Sequence, residues 1–385
     1  MKITIVTPVF PYPKRGIYFG IERYVENLAI NLKNIGNKVK IVTTFWNGGK
    51  RYDNYKGIPI LRIFDSKTIL GKIGSIFQFS YISFGFNLMR KKNFQFYRNS
   101  DVIILNLAIG FSKFFKLKNF STISVFHHYD PPETLSYFFT LKFLHYLEKR
   151  QFKKLNHVIT VSNTSKHHIM TKYHIKESSI KVISHGVDRN RYNPSNYSEE
   201  IRRKFGSNIL LYSGLMIKRK KISVLLYAMK EVIKEIPDVH LILTGDGPLL
   251  NDFRNLAKSL EIQNNVSFLG FIAEKDLQKY YATSDIYVFP SELEGFGQTI
   301  IEAMASGTPV ICANKPPMSE NIGEGGKVFK INDSKDLSKK IIKLLSNRNE
   351  LTNLKIKALE EIKRFDWLTV AHTYCDYIKQ IKLNY

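Results

Sequence analysis

Apolar residues recur along the chain in two alternating rhythms. Short β-branched runs (Ile3 to Thr7, Val39 to Thr43, Val102 to Leu105, Ile123 to Phe126, Val158 to Val161) alternate with amphipathic segments such as Ile21 to Ile35. Runs of the first kind predict buried strands and the second kind helices, so the first half reads as doubly wound α/β. A second series follows the turn-rich segment Asn190 to Ser198, with strands expected at Ile209 to Tyr212, Val239 to Leu243, Val266 to Phe268, Ile286 to Phe289 and Pro309 to Ile311. Pro, Asn and Ser cluster over Asn193 to Tyr197, which marks the expected linker.

The tail from Phe365 to Leu383 carries Trp367, Val370, Tyr374, Tyr377, Ile378 and Ile381 at helical spacing, which predicts a docked helix. A chain of 385 residues exceeds the size at which one core stops growing, so two domains are expected. Hydrophobic content of 44% with 24% charged residues excludes a disordered chain.

Charge changes the picture. Lys and Arg number 58 against 33 Asp and Glu, a formal net charge of +25, and such a field attracts polyanions. No helix-turn-helix, zinc-finger or RNA-binding motif turns this basicity into specific nucleic-acid reading, whereas anionic lipid and phosphorylated substrates fit it. Two segments, Ile76 to Tyr97 and Phe111 to Phe120, mix aromatic with basic residues. That mixture suits either a membrane interface or core aromatics beneath a solvated basic face. Cys312 and Cys375 lie far apart without metal-ligand spacing, as expected of buried thiols in a reducing compartment. The apolar run at Met1 to Pro8 is too short for a signal peptide, and nowhere do about 18 apolar residues follow one another, so a cytoplasmic protein, peripheral at a membrane face, is expected.

The candidate chemistry centres on Pro290 to Pro309. After the strand Ile286 to Phe289 come Glu294-Gly295-Phe296-Gly297-Gln298 and then Glu302. Gly295 and Gly297 would let the backbone approach a ligand, and a helix starting near Gln298 would point unpaired N–H groups and a positive dipole end at it, as a diphosphate requires. Glu302, about one turn into that helix, could accept two ribose hydroxyl protons, as the acidic residue of dinucleotide folds does. Glu294 would sit nearer the transferred sugar. The same residues also suit a plain helix start with acidic neighbours, and the pattern alone leaves both open. In the first half, the strand Ile123 to Phe126 ends in His127 and His128, at the carboxyl edge where α/β proteins bind ligands.

The spacing of Glu294 and Glu302 around Gly-Phe-Gly, continued by Glu-Ala-Met-Ala-Ser-Gly-Thr-Pro-Val, resembles the signature of glycosyltransferase family 4. The resemblance spreads along the chain. His185-Gly186-Val187-Asp188 with Tyr192 and Pro194 resembles the family's hinge motif, and Thr160-Val161-Ser162, Gly245-Asp246-Gly247-Pro248 and Gly20-Ile21-Glu22-Arg23 resemble further segments. It implies an α/β, GT-B fold of two Rossmann-like doubly wound domains facing a central cleft. The domains would be an N-terminal acceptor-side domain over 1–190, joined by a helix over 366–385, and a C-terminal nucleotide-sugar-binding domain over 198–365.

It also implies the activity, a retaining transfer of a hexosyl group from a nucleoside diphosphate sugar to a lipid-linked or glycan acceptor, with no metal required. Donor-binding positions would be Gly20, Gly214, Arg219, Lys220, Asp246, Gly247, Gly295, Phe296, Gly297 and Glu302. Lys220 would neutralise the diphosphate, and His127 and Glu294 would flank the reacting sugar; the family's Phe-His pattern selects His127 over His128. Two departures stand out: Leu215 where the family usually has Arg, and Phe19 where it commonly has Gly. They leave room for a catalytically weak nucleotide-sugar-binding subunit.

Overall fold

The structure, a computed structural model, describes residues 1–10, 20–45, 49–64, 79–106, 120–127, 146, 149–155 and 157–383, without the side chains of 79–82 and 383. The chain divides into two compact units, Met1–Gly186 with Trp367–Tyr385, and Val187–Asp366.

The first unit is built on eight strands: β1 (Lys2–Val6), β2 (Lys38–Thr44), β3 (Tyr52–Tyr55), β4 (Ile58–Ile63), β5 (Val102–Asn106), β6 (Ser121–Phe126), β7 (Val158–Thr160) and β8 (Ile180–Val182). They lie in the order β3-β4-β2-β1-β5-β6-β7-β8. Every pairing is parallel except β3 with β4. Parallel strands covered on both faces read as unbroken apolar runs, and β5 is buried at all five positions. Alternation along the strand then sorts residues by face. Ile3, Ile5 and Ile41 pack with Tyr24, Leu28 and Leu32 of the helix Gly20–Asn34, whereas Val6, Val42, Ile103 and Leu105 pack with Phe84, Leu88 and Tyr97.

The helix Trp367–Leu383 joins the first of these clusters through Trp367, Val370, Tyr374, Ile378 and Ile381, as its spacing predicts, while Tyr377 is only partly buried. The Tyr374 and Tyr24 hydroxyls are hydrogen-bonded to each other. The Trp367 ring rests on Gly186, where an added Cβ would come within 2.6 Å of the ring, so no larger residue fits beneath it.

The second unit has six parallel strands: β9 (Asn208–Ser213), β10 (Val239–Thr244), β11 (Val266–Gly270), β12 (Ile286–Phe289), β13 (Val310–Ala313) and β14 (Gly326–Phe329). Their order is β11-β10-β9-β12-β13-β14. The chain first winds outward from β9 through β10 to β11, then returns to pair β12 on the other side of β9, which makes the β9/β12 boundary a topological switch point.

The expected linker at Asn193 to Tyr197 is corrected, because the unit boundaries fall at Gly186/Val187 and Asp366/Trp367. Residues 191–198 are pinned to the second unit. Arg191 and Tyr192 both donate to Glu274 Oε1, at 2.7 and 3.1 Å, and Ser198 N donates to Thr283 Oγ1 at 2.9 Å. Pro194–Asn196 is a short 3-10 turn, so the turn residues there shape a docked segment.

Candidate functional site

In the second unit the loops leaving β9 and β12 meet at the switch point. Lys218–Lys220 forms one 3-10 turn, and Lys221, with φ of +52°, reverses the chain into the helix Ile222–Glu235. A left-handed Lys is uncommon, and here it accompanies a turn that directs Lys220 inward. Glu292 N donates to the Arg219 carbonyl at 2.9 Å and ties the two loops together.

Three donors converge on one carboxylate oxygen. Lys220 Nζ lies 2.5 Å from Glu294 Oε1, Ser291 Oγ 2.6 Å and an Arg219 guanidinium nitrogen 3.3 Å. Arg219 also donates to the Leu293 carbonyl at 2.8 Å. Burial pushes the Glu294 carboxyl up, yet Lys220 and Arg219 outweigh it and hold the group below its usual range. Arg carries five N–H donors and Lys three, more than one carboxylate oxygen can take, so this cluster gathers two cations at a strand edge in an orientation set by Glu294. Ser291 gave no signal in the sequence beyond its place next to a strand end.

The helix Gln298–Ala305 follows at once, entered through Gly297 at φ of +88°. Its first N–H groups have no intrahelical acceptor, so with Lys220 and Arg219 the edge favours a multiply charged anion. Phe296 does not present its ring to that edge: it is buried edge-on against Phe365, with centroids 5.7 Å apart. Glu302 is also covered, only 1% exposed, and its Oε2 accepts from the Tyr281 hydroxyl at 3.3 Å.

Gly214, Asp246 and Gly247 form a brace beside this cluster. Gly214 N donates to the Thr244 carbonyl, Met216 N to the Asp246 carbonyl and Leu249 N to the Met216 carbonyl, at 3.1, 2.9 and 3.0 Å. A Cβ on Gly247 would fall 2.6 Å from the Met216 carbonyl oxygen, and one on Gly245 2.0 Å from that of Gly214. These glycines are required by loop-on-loop packing. The Asp246 side chain caps Gly247 N at 2.7 Å and is exposed. Leu215 is 46% exposed.

In the first unit His127 stands at the end of β6, 3% exposed, with Nε2 2.6 Å from Asn106 Oδ1. Tyr24 meets it edge-on at 4.7 Å. Asn106 is not among the residues expected from the sequence, although a polar residue closing the apolar run Val102 to Leu105 is a visible signal. Gly20 opens the helix Gly20–Asn34, and an added Cβ there meets nothing within 4 Å among the described residues. Phe19 and His128 lie outside the described residues, as do 76–78 and 111–119 of the aromatic and basic segments. Of the described rings, Phe84 and Tyr97 are core and Phe94, Phe96 and Phe120 pack against it, because the sheet face beneath them needs cover. Phe86 is 63% exposed near the exposed Arg90, Lys91 and Lys92. Among the described residues no helix is long and apolar enough to cross a membrane.

Comparison with known proteins bears on both units. Residues 195–361 match the family described as Glycosyl transferases group 1, and residues 19–191 match Glycosyltransferase Family 4. The chain is 32% identical over 164 residues to alpha-monoglucosyldiacylglycerol synthase of Streptococcus pneumoniae; the matched stretch is 40% of this chain and spans 37% of that protein. Sucrose-phosphate synthase from Thermosynechococcus elongatus superposes over 100% of both chains with a TM-score of 0.80 at 19% identity. Anabaena HepE in complex with UDP-glucose superposes over 99% of this chain and 100% of its own, with a TM-score of 0.76 at 22% identity.

Proposed function

Because the chain belongs to the group 1, family 4 glycosyltransferases and has their GT-B fold, we propose that it moves a hexosyl group from a nucleoside diphosphate sugar to a lipid-linked or polysaccharide acceptor. The observation that carries the donor half is the convergence of Lys220, Arg219 and Ser291 on Glu294 at the β9/β12 switch point, beside the start of the helix Gln298–Ala305. In this reading Lys220, Arg219 and the helix N-terminus stabilise the charge that builds on the leaving diphosphate, which is the electrostatic need of the reaction and requires no metal. Arg219 takes the place of the guanidinium that Leu215 does not supply. Glu294 orients the two cations and faces the sugar, and Glu302 accepts from the ribose. Gly214, Asp246 and Gly247 shape the loop around the donor, Gly295, Phe296 and Gly297 contribute backbone, and Gly20 is a further donor-binding position.

The second unit holds the donor and the first unit, with His127, the acceptor side. Transfer proceeds with retention, by a front-face route in which a leaving phosphate oxygen assists the acceptor. A lipid acceptor is supported by the similarity to a protein named as a glucosyldiacylglycerol synthase, and a nucleotide-sugar donor by the likeness to a fold bound to UDP-glucose. The excess of cations, with Phe86 exposed near Arg90 to Lys92, supports peripheral attachment to an anionic membrane.

The test is a panel of UDP-, GDP- and ADP-sugars with membrane lipid extract, read as released nucleoside diphosphate. Acceptor-dependent release from one donor is expected, with the anomeric configuration kept in the product and no loss on adding chelator. Binding of a nucleotide sugar without turnover of any would sink the transferase reading and favour a nucleotide-sugar-binding subunit.

A further inference from the structure

The polar side chains closing β1, β5 and β6, three strands adjacent in the sheet, form a single hydrogen-bonded run. Thr7 Oγ1 donates to the Val9 carbonyl at 2.8 Å, which commits its one proton. It accepts from Val9 N at 3.3 Å and from Asn106 Nδ2 at 3.1 Å. A hydroxyl whose proton is committed can only accept from the amide beside it, so Asn106 must turn its NH2 to Thr7 and its Oδ1 to His127. That oxygen lies 2.6 Å from His127 Nε2, and an amide oxygen cannot donate. The proton between them therefore belongs to Nε2. Thr7, Asn106 and His127 are 0%, 1% and 3% exposed, so water does not compete for these bonds.

We infer that Asn106, oriented by Thr7, is a positioning residue that holds His127 as the Nε2–H tautomer. Neutral His127 then keeps Nδ1 as the ring's acceptor, which suits it to take a hydrogen bond from a sugar or acceptor hydroxyl and not to donate one to a phosphate oxygen. The inference rests on the placement of His127 in the transfer site proposed above.

Three neighbours among the described residues bear on the ring and its backbone. Tyr24, from the helix Gly20–Asn34, stands edge-on at 4.7 Å, and burial pushes its phenol far up, so it stays neutral. His185, following β8, is a further titratable group among the described residues, 5.6 Å away centroid to centroid. From the helix Asn163–Tyr173, Ser165 Oγ donates to the His127 backbone carbonyl at 3.3 Å, which anchors the backbone next to the ring.

Long-range 1H–15N spectra of the full chain labelled at histidine test this directly, with His127→Gln identifying the signal. The parent should show the Nε2–H pattern when neutral. Asn106→Asp, close to isosteric, should raise the pH at which the ring protonates by about one unit or more, because a carboxylate favours the imidazolium. Asn106→Leu should mix the tautomers and, with the donor that the panel turns over fastest, lower kcat about tenfold with KM nearly unchanged. An Nδ1–H pattern in the parent, or an unmoved protonation midpoint in Asn106→Asp, overturns the inference. Should Asn106→Leu fail to fold, Asn106→Asp carries the test alone. His127→Ala at full turnover would instead sink the placement of His127 while leaving the tautomer result standing. Lost turnover in His127→Ala alongside full kcat in Asn106→Leu would refute the positioning role alone.

Discussion

Lys220 Nζ and Glu294 Oε1 are 2.5 Å apart, each side chain 11% exposed, and the bond joins the loop after β9 to the loop after β12. Removing one partner of a buried pair costs more than removing both, because the survivor keeps an uncompensated charge out of water. Lys220→Met should therefore destabilise the protein by about 2 to 3 kcal/mol, less than for an isolated pair because Arg219 and Ser291 still hold Glu294. The double variant Lys220→Met/Glu294→Gln should recover part of that loss. Urea unfolding of both variants decides it, and a double variant less stable than Lys220→Met would contradict the pairing.

The same bond makes a pH prediction. Glu294 is held below the usual 4.5, through Lys220 and Arg219 acting against burial. A carboxyl depressed on folding adds stability that is complete above its unfolded value and disappears as pH falls through the folded one. Parent and Glu294→Gln should thus differ in stability at pH 7 and converge as the pH drops below about 4.5. Unfolding curves at pH 7 and at stepwise lower pH check this; a gap that widens with acid would reverse the assigned sign.

Two glycines that look alike in the sequence should behave oppositely. At Gly245, φ is +112° and an added Cβ would sit 2.0 Å from the Gly214 carbonyl oxygen, a backbone atom that cannot rotate away. Gly245→Ala should cost about 2 kcal/mol or more and loosen the brace that sets Gly214 to Met216. At Gly20 no described residue lies within 4 Å of an added Cβ, so Gly20→Ala should leave stability within about 0.5 kcal/mol of the parent. Thermal unfolding of the two variants side by side separates them, and a drop in nucleotide-sugar affinity in Gly20→Ala without loss of stability would place that residue at the ligand.

The fold was legible because parallel strands covered on both faces leave apolar runs, as in β5 and β9, and because Trp367 to Ile381 repeats at helical spacing. The unit boundary was not. Turn residues at Asn193 to Tyr197 look the same whether a segment floats or is fastened, and it takes contacts such as the Glu274 and Thr283 bonds to reveal the fastening. The grouping of Arg219 and Lys220 with Glu294 could be read from motifs on either side of a switch point. Ser291 and Thr7 could not, since the side chain that each one meets is set by the packing of separate loops and strands, and Asn106 showed only as a polar residue closing an apolar run. The glycines on both sides of Phe296 give no hint that the ring between them turns inward against Phe365.

Glu302, proposed to accept from ribose, is covered and bonded to Tyr281. A buried carboxylate that gains hydroxyl donors from a ligand should contribute about 1.5 to 3 kcal/mol to binding, which is roughly 10- to 100-fold in Kd. Removing it should abolish discrimination between a ribose and a deoxyribose. The parent should bind UDP or GDP, whichever it takes, more tightly than the 2′-deoxy or 3′-deoxy nucleotide. Glu302→Gln should bind all of them with nearly equal and weaker affinity, and Tyr281→Phe should keep the parent's preference because the carboxylate survives. Calorimetric titration of the three proteins reads these differences. An unchanged ribose preference in Glu302→Gln would assign the residue to the Tyr281 contact and the interior of the second unit, leaving the ribose to another acceptor.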